Sequence, residues 1–565
     1  MKKLKGLGNR TYNALFHTHT VAGIVISFGL FVIFYAGAYA LFRHEIIQWE
    51  NPDMRQEVNA DLDLDAALAK VDGVYELDYS QNTNLRLPTE ESPVFTVYGA
   101  QRKADSTIER MAAYVSPDDM HIQDLNEPKT TVGDTIYVLH YFGQIPVPRL
   151  GLFLSGFVAL FFLFAIVSGV MIHWRNLLTK FYAFVKEGKW KTIWTNAHTV
   201  LGVIGLPFQL AYAVTGAFFG LLTLVLLPTV FLMYDGDTEK VFEKVNPASA
   251  LTIDEHAPAY EHLSLNVLAA QIKEAYPGFH VNRVSVRNYG KEDALAFWNI
   301  DDHKGIFSSG NLAMRMKDGV VLEEYSLIPN KRSYSYGVVD FITKLHFATF
   351  GGGLLKILYF VLAMITCFMI ISGVLIWRTA RDNPRYTFKQ RLFHHRVTKW
   401  YLAICLSMFP AFALIFLANK IVPMDMVGRA STVNTIFFLG WLALTLVGLA
   451  WNRYSAQNRN YLLLGGMLSL FVPVANGIAT GGWVWETWQT SPSVAYIDLF
   501  WFFSGITALV LVFFVLKVKP DSDKPQEGQI EEASAPTNAP VRKKLPHKPK
   551  PAMVKYSRLR GNTSS

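Results

Sequence analysis

HTVAG at residues 19–23 and HTVLG at residues 198–202 each stand at the start of a long apolar segment. The chain therefore places a histidine twice at the start of a hydrophobic helix, followed each time by Thr-Val-x-Gly. A second pair of segments repeats in the same way. LHYFGQ (139–144) leads to a segment ending in SGVMIHW (168–174), and LHFATFGGG (345–353) leads to one ending in SGVLIW (372–377). The first four apolar segments are thus two copies of one unit, in the order helix, soluble module, helix.

The composition is that of an integral membrane protein. Of the 565 residues, 51% are hydrophobic and 17% are charged, and a helix of about 20 apolar residues crosses a bilayer. The pattern predicts eight spans, of which the third is long enough to tilt or to bend at Pro207 or Pro228. The predicted spans are 21–42, 151–172, 200–233, 354–377, 401–422, 435–451, 461–480 and 499–516.

The charges of the short loops predict the orientation. Basic residues cluster before the first span, after the second and after the fourth, and the positive-inside rule places these three segments in the cytoplasm. An even number of spans returns the Pro/Lys-rich tail to the same side, where its composition predicts disorder. The net charge of +8 is mainly a signal of topology, and no basic groove interleaved with aromatic residues indicates nucleic-acid binding.

Two segments on the outer side are soluble in composition and are predicted to be small α+β modules. Cys367 and Cys405 both fall inside predicted spans, so no disulfide is expected in either module. The predicted helices are 64–70 and 265–276, and the predicted strands are 94–98, 112–115, 281–286, 294–300, 312–316 and 320–325, the last two forming a hairpin. The predicted boundaries are 1–43 (N-terminus and first span), 44–148 (first module), 149–233 (spans two and three), 234–345 (second module), 346–378 (span four), 379–400 (basic cytoplasmic loop), 401–516 (spans five to eight) and 517–565 (tail).

The repeated histidines fall into two tiers, one near each face of the membrane. The cytoplasmic tier comprises His19, His198, His17 and His173, and the outer tier comprises His140, His346 and His44. In an up-down four-helix bundle, one histidine from each of two facing helices can close on a planar ligand. Two opposed pairs suit two b-type haems, held without covalent bonds because the sequence has no Cys-x-x-Cys-His.

Other roles for these histidines stay open. A single histidine at a membrane interface is usually only a boundary residue, whereas repetition on both faces favours a function, because polar groups inside spans are costly. Imidazoles also serve transition-metal pathways and proton relays. An ion pathway normally needs carboxylates within the spans. The first four spans have almost none, which favours electron transfer.

The helix starts, the LHYF and LHFA entrances, the SGV endings with His173-Trp174 and the paired modules resemble the PepSY-associated transmembrane proteins. That family includes bacterial siderophore-iron reductases, and the resemblance covers roughly residues 10 to 380. It implies a mostly α-helical, multi-pass protein of the bacterial inner membrane, with a haem-binding four-helix core, two periplasmic modules and both termini in the cytoplasm. It also implies an oxidoreductase, a ferric-siderophore reductase that passes electrons outward to siderophore-bound ferric iron in the periplasm.

The resemblance implies a set of axial ligands for two haems b. His19 and His198 would ligate the cytoplasmic-side haem, and His140 and His346 the periplasmic-side haem. His173 is an alternative ligand in the cytoplasmic tier, because similar proteins often carry a histidine at that helix end. His44 competes in the outer tier, and His17 is interpreted as a solvated neighbour of His19. No catalytic or substrate-binding residue is assigned.

The C-terminal half, from about Tyr401, adds four spans that a reductase-like core does not require. GGG at 351–353 and TGGW at 480–483 lack the strand-to-helix context of a nucleotide-binding loop, so no flavin or nicotinamide site is predicted in this chain. The electron donor is therefore expected to be a separate cytoplasmic reductase or a membrane quinol. His394-His395 are interpreted as part of a basic cytoplasmic face. Trp483, Trp485 and Trp488 suit an interfacial aromatic belt, or alternatively a platform for an aromatic siderophore or quinone.

Two other classes of function are weighed against electron transfer. PepSY modules are associated with inhibition of peptidases in other contexts, so the chain could be a non-redox protein that binds or regulates a periplasmic peptidase or another partner. Spans five to eight could instead form a transport pathway. Their charged residues Lys420, Asp425 and Asp498 lie at span ends, which argues against it.

Overall fold

The structure is a computed structural model, and it describes most of residues 8–517. The undescribed stretches are 1–7, 56–61, 90–94, 104–106, 117–118, 126–130, 178, 180–189, 238–239, 241–250, 255, 302–308, 326–333, 452 and 518–565. The tail predicted to be disordered lies outside the described residues.

The described chain is mostly helical, and eight of its helices are long and apolar enough to cross a membrane. That number equals the number of predicted spans. The helices are α1 Asn9–Ala40, α2 Arg43–Glu50, α3 Leu64–Tyr75, α4 Val132–His140, α5 Leu150–His173, α6 Trp190–Ile204, α7 Leu206–Met233, α8 Leu265–Ala275, α9 Tyr334–Phe347, α10 Gly352–Arg381, α11 Phe388–Ile421, α12 Arg429–Ala450, α13 Tyr454–Thr480, α14 Val484–Thr490 and α15 Pro492–Lys517.

The third predicted span consists of two helices, α6 and α7, separated at Gly205. The break therefore lies two residues before Pro207, one of the two positions at which a bend was predicted. Pro207 occupies the first turn of α7, where its missing N–H group costs no hydrogen bond. Pro228 lies within α7.

The membrane helices form two packed groups. The repeat bundle contains α1, α5, α6, α7 and α10, and the C-terminal bundle contains α11, α12, α13 and α15. Helix α11 joins the two groups, because it packs against α1 and α10 as well as against α12 and α13. It is also the most enclosed span, with 78% of its apolar window buried.

The two soluble modules form one continuous sheet. The strands are β1 Thr83–Arg86, β2 Phe95–Arg102, β3 Ile108–Val115, β4 Ile122–Asp124, β5 His280–Arg287, β6 Leu295–Asp301, β7 Ser309–Arg315 and β8 Val321–Tyr325. Their order in the eight-stranded sheet is β4-β3-β2-β1-β5-β6-β7-β8, and all neighbouring strands are antiparallel. The pairing of β1 with β5 joins the two modules edge to edge, and β1 and β4 were not predicted.

One face of the sheet is covered by α3 and α8, which bury a shared apolar core around Leu85, Val284 and Trp298. The opposite face is turned toward the helical bundle. Gln123 of β4 accepts a hydrogen bond from Asn51 at 3.2 Å, and Asp301 of β6 pairs with Lys344 of α9 at 3.0 Å. We call the end of the repeat bundle beneath the sheet the sheet end, and the opposite end the far end.

Candidate functional site

His19 and His198 meet at the far end of the repeat bundle. Their ring centres lie 6.2 Å apart, with an angle of 77° between the ring planes. His19 Nδ1 is 2.8 Å from the carbonyl oxygen of Ala165, and His198 Nδ1 is 3.0 Å from that of Met369. Because a carbonyl only accepts hydrogen bonds, each Nδ1 is the donor and each Nε2 keeps a free lone pair.

The two SGV segments form the walls around this far-end pair. Ser168 Oγ lies 3.4 Å from His19 Nδ1, and Ser372 Oγ lies 3.2 Å from His198 Nδ1. A Cβ atom at the following glycine, Gly169 or Gly373, would lie 3.1 Å from Cε1 of the neighbouring imidazole. The repeated Ser-Gly pair therefore supplies a polar contact and leaves room for the ring.

His140 and His346 form the corresponding pair at the sheet end. Their ring centres are 6.1 Å apart, with 48° between the planes. His140 Nδ1 donates to the carbonyl of Ile33 at 2.8 Å. His346 Nδ1 is 2.8 Å from Thr215 Oγ1, whose hydroxyl donates to Ala211 O at 2.8 Å. Thr215 must therefore accept from the imidazole, and Nε2 is again left free.

A cavity of about 400 Å³ lies beside the sheet-end pair and is lined by both of its histidines. No Asp, Glu, Lys or Arg lines it among the described residues. Small residues make part of the wall, including Gly37, Gly216 and Gly220. A Cβ atom at Gly37 would come within 2.6 Å of His140 Nδ1. The site is thus a largely apolar space lined by two imidazoles and four tyrosines, a composition that suits a flat, largely apolar cofactor.

Aromatic side chains fill the bundle between the two pairs. Phe34 lies 6.1 Å from Phe208 between ring centres, and Phe208 lies 5.3 Å from Tyr359. Tyr212 contacts Phe208 at 4.6 Å and His346 at 5.1 Å. These rings exclude water from the centre of the bundle and connect it to the sheet-end pair.

A comparison of the chain with known protein families identifies the family of its first four spans and two modules. The model of the PepSY-associated TM region matches residues 16–380, which is more than half of the chain. The chain belongs to the PepSY-associated transmembrane family. The matched segment contains both soluble modules and nearly all of the repeat bundle: it begins within α1 and ends within the last turn of α10.

A relative of this PepSY-associated protein occurs in Pseudomonas aeruginosa. It is described as an uncharacterized protein, and it is 25% identical over 327 residues, which are 55% of this chain and 78% of the relative. The family and this relative support a membrane protein of the PepSY-associated kind, and they carry no statement about an activity.

The other candidate ligands lie at three different places in the helices. His173 ends α5 and interacts electrostatically with His198, so it stays an alternative ligand at the far end. His17 is exposed and lies against Phe16. His44 lies in α2, where burial, followed by the charges of Arg43, Lys356 and Arg86, lowers its pKa to about 4.

The histidines and tryptophans singled out in the C-terminal half contact other side chains. His395 Nδ1 is 2.7 Å from the hydroxyl of Tyr454, and His394 packs against Trp377 with ring centres 5.0 Å apart. Trp483 and Trp485 stack on each other at 5.2 Å. Among the described residues, no group of three or more His, Cys, Asp or Glu side chains forms a metal cluster.

Several residues of this PepSY-associated protein that hold the histidines were not predicted. Ser168 and Ser372 belong to a motif that the repeat analysis found, so their equivalent positions were a usable signal. Thr215 had no such signal, because Ala36 stands at its equivalent position in the other repeat. Gly37 did have one, because Gly216 stands at its equivalent position.

Proposed function

We propose that the chain is a di-haem b electron-transfer protein of the bacterial inner membrane that reduces siderophore-bound ferric iron at the sheet end. One observation carries the proposal. Two pairs of opposed imidazoles, at opposite ends of one bundle, each have Nδ1 hydrogen-bonded to an oxygen and Nε2 free. A hydrogen bond at one ring nitrogen that leaves the other nitrogen for a metal is the usual arrangement of histidine ligands.

The spacing of each pair fits a metal held on both sides. A metal–nitrogen bond is about 2 Å long, and the ring centre lies about 1 Å beyond the nitrogen, so two axial imidazoles place their ring centres about 6 Å apart. The observed separations are 6.2 and 6.1 Å. The described residues form no group of three or more potential metal ligands, and two protein ligands per site suit a macrocycle that supplies the remaining ligands.

When bound between each pair, haem would supply one-electron redox chemistry. The chain itself would fix the ring orientation and the tautomer of each histidine through Ala165, Met369, Ile33 and Thr215. These hydrogen bonds also raise the basicity of Nε2. The apolar lining of the sheet-end cavity restricts water, which contributes to the redox potential.

In this proposal the sheet is periplasmic, and both termini are cytoplasmic. A cytoplasmic reductase or a membrane quinol supplies the electrons at the far end. One electron then converts Fe(III) to Fe(II) in the chelate at the sheet end. The hard oxygen donors of a siderophore hold Fe(II) less firmly, so the iron is released.

The test is an absorbance spectrum of the detergent-purified protein, oxidised and dithionite-reduced, with pyridine haemochrome quantitation. We expect about two haems b per chain. His198→Ala and His346→Ala should each reduce the content to about one. The matched controls His17→Ala and His44→Ala should keep both. A folded protein made with ample haem that shows no Soret band would refute the proposal and favour a protein that binds a partner through its sheet.

A further inference from the structure

One edge of the cavity beside His140 and His346 is polar. Tyr137 of α4 and Tyr141, the residue that follows α4, both line the cavity, and their ring centres lie 5.5 Å apart. The guanidinium of Arg43 lies over the Tyr137 ring, 5.0 Å from its centre. A positive charge is therefore held directly behind the cavity wall, beside two tyrosine side chains.

Helix α4 also holds Arg43 in this position through Asp134. Asp134 Oδ1 accepts hydrogen bonds from Arg43 Nε at 2.7 Å and from Nη2 at 2.5 Å. A guanidinium has five N–H donors in a planar fork, so this contact uses two of them and the fork can also bind a second acceptor. The Arg43 side chain is 33% exposed, so it can be reached without opening the packed helices.

The second repeat is apolar at the equivalent positions. Tyr141 and Phe347 each follow a sheet-end histidine, and both line the cavity, but only Tyr141 carries a hydroxyl group. Leu222 stands in the second repeat where Arg43 stands in the first, counted from the histidines of the far-end pair. Two repeats that match in their histidines thus differ here, so that one edge of the site is polar and the other is apolar.

Other hydroxyl groups of the cavity wall donate within the chain. Ser155 Oγ donates to the carbonyl of Leu152 at 2.8 Å, and the Tyr212 hydroxyl donates to the carbonyl of His346 at 2.8 Å. Tyr359 packs among the aromatic rings at the centre of the bundle. No Lys or Arg belongs to the wall itself among the described residues. The edge beside Arg43 is therefore where the described site can best satisfy an anionic group.

We propose that Arg43, Tyr137 and Tyr141 bind the propionate carboxylates of the sheet-end haem. Haem b carries its two carboxylates on one edge of the ring and apolar groups on the other edges, and a carboxylate buried without partners is costly. A guanidinium binds carboxylates through strong, charge-assisted hydrogen bonds. The inference deepens the proposed function, on which it rests, because it assigns the polar contacts of the cofactor and turns its carboxylate edge toward α2 and α4.

The test compares two porphyrins that differ only in their carboxylates. Haemin has free propionates, and haemin dimethyl ester has the same iron and ring with both propionates esterified. Each is titrated by absorbance into the full-length, detergent-purified protein made in haem-deficient cells, with His198→Ala as the reference background so that the sheet-end pair is the site measured. We expect haemin to bind about tenfold more tightly than its ester, or better, because the ester cannot accept charge-assisted hydrogen bonds.

Arg43→Gln should weaken the binding of haemin about tenfold, which corresponds to about 1.4 kcal/mol. Tyr141→Phe should weaken it by a smaller factor, since a neutral hydroxyl is a weaker partner for a carboxylate than a guanidinium. Neither variant should change the affinity for the ester, which reports whether the cavity is intact. The control Lys273→Gln removes an exposed positive charge from α8 and should leave both affinities unchanged.

Two outcomes would overturn the inference and leave the proposed function standing. One is equal affinity of the reference protein for haemin and its ester, and the other is an equal loss of both probes in the conservative variant Tyr141→Phe. Binding of neither probe to the folded reference protein would instead refute the electron-transfer proposal, and the inference with it.

Discussion

Glu50, the last residue of α2, is expected to control the stability of the helix that carries His140. Its carboxylate is 1% exposed and accepts hydrogen bonds from the backbone N–H groups of Thr131, Val132 and Gly133 at 2.6, 2.9 and 2.7 Å. It thereby caps the N-terminus of α4. Asn419 of the C-terminal bundle donates to the same carboxylate at 3.2 Å.

The magnitude follows from two opposing contributions. Glu50→Ala leaves three buried N–H donors without an acceptor, at about 1–3 kcal/mol each. Against this, burial raises the pKa of Glu50 from 4.5 to about 7, which indicates a cost of about 3 kcal/mol for holding the ionised form. Glu50→Ala is therefore expected to lower the free energy of opening of α4 by about 3 kcal/mol. Its amide hydrogens should then exchange about 100-fold faster.

The raised pKa also predicts a pH dependence. The folded chain binds more protons than the unfolded chain between pH 4.5 and about 7. The contribution of Glu50 to the free energy of opening is therefore greatest below pH 4.5 and is lost as the pH rises through about 7. Glu50→Gln removes this dependence, because the amide does not titrate.

Hydrogen–deuterium exchange of the peptide that contains residues 131–139, corrected for intrinsic rates, measures both effects. Asp63→Asn is the matched control, since Asp63 caps α3 and should affect only that helix. The reasoning is wrong if Glu50→Ala leaves exchange of α4 within twofold of the wild type, or if Glu50→Gln keeps the wild-type dependence on pH.

Three further predictions concern the histidine pairs. Gly373→Ala places a Cβ 3.1 Å from His198 Cε1 and should lower the haem content toward one per chain, whereas Gly202→Ala, with nothing within 4 Å of its Cβ, should not. Gly37→Ala would meet His140 Nδ1 at 2.6 Å and should remove the sheet-end haem, with Gly23→Ala as the open control in the same helix; equal haem contents in the two variants would contradict this. Thr215→Val removes the acceptor for His346 Nδ1 and should raise one of two midpoint potentials in a redox titration by weakening the donor strength of that ligand. Unchanged potentials would show that Thr215 does not orient an iron ligand.

The repeat made the histidine pairs predictable from the sequence, because each histidine stands at an equivalent position of a recurring unit. The spans were predictable as well, since long apolar runs are a strong signal. Helix α11 begins at Phe388, well before the predicted start at residue 401, because its first turns are polar and resemble a loop in composition. The prediction of a disordered tail remains a prediction.

The joining of the modules could not be predicted. Strand β1 is four residues long, with the sequence TNLR, too short and too polar to indicate a strand alone. Its partner β5 lies about 200 residues away, as in the register of Arg86 with Arg283, and a single sequence contains no signal for such a pairing. Glu50 was missed for a related reason: an acidic residue in a polar segment suggests a solvated surface, and only the approach of α4 and α11 makes it a buried cap.

The pairing of β1 with β5 also determines when the sheet can be completed during synthesis. Roughly 190 residues separate the two strands, and at the usual speed of a ribosome they take about 10–40 s to make. Throughout that interval β1 is an open edge that can pair with a strand of another chain. The nascent first module therefore passes through a period in which aggregation competes with folding, and a factor that shields this edge would increase the yield of the protein.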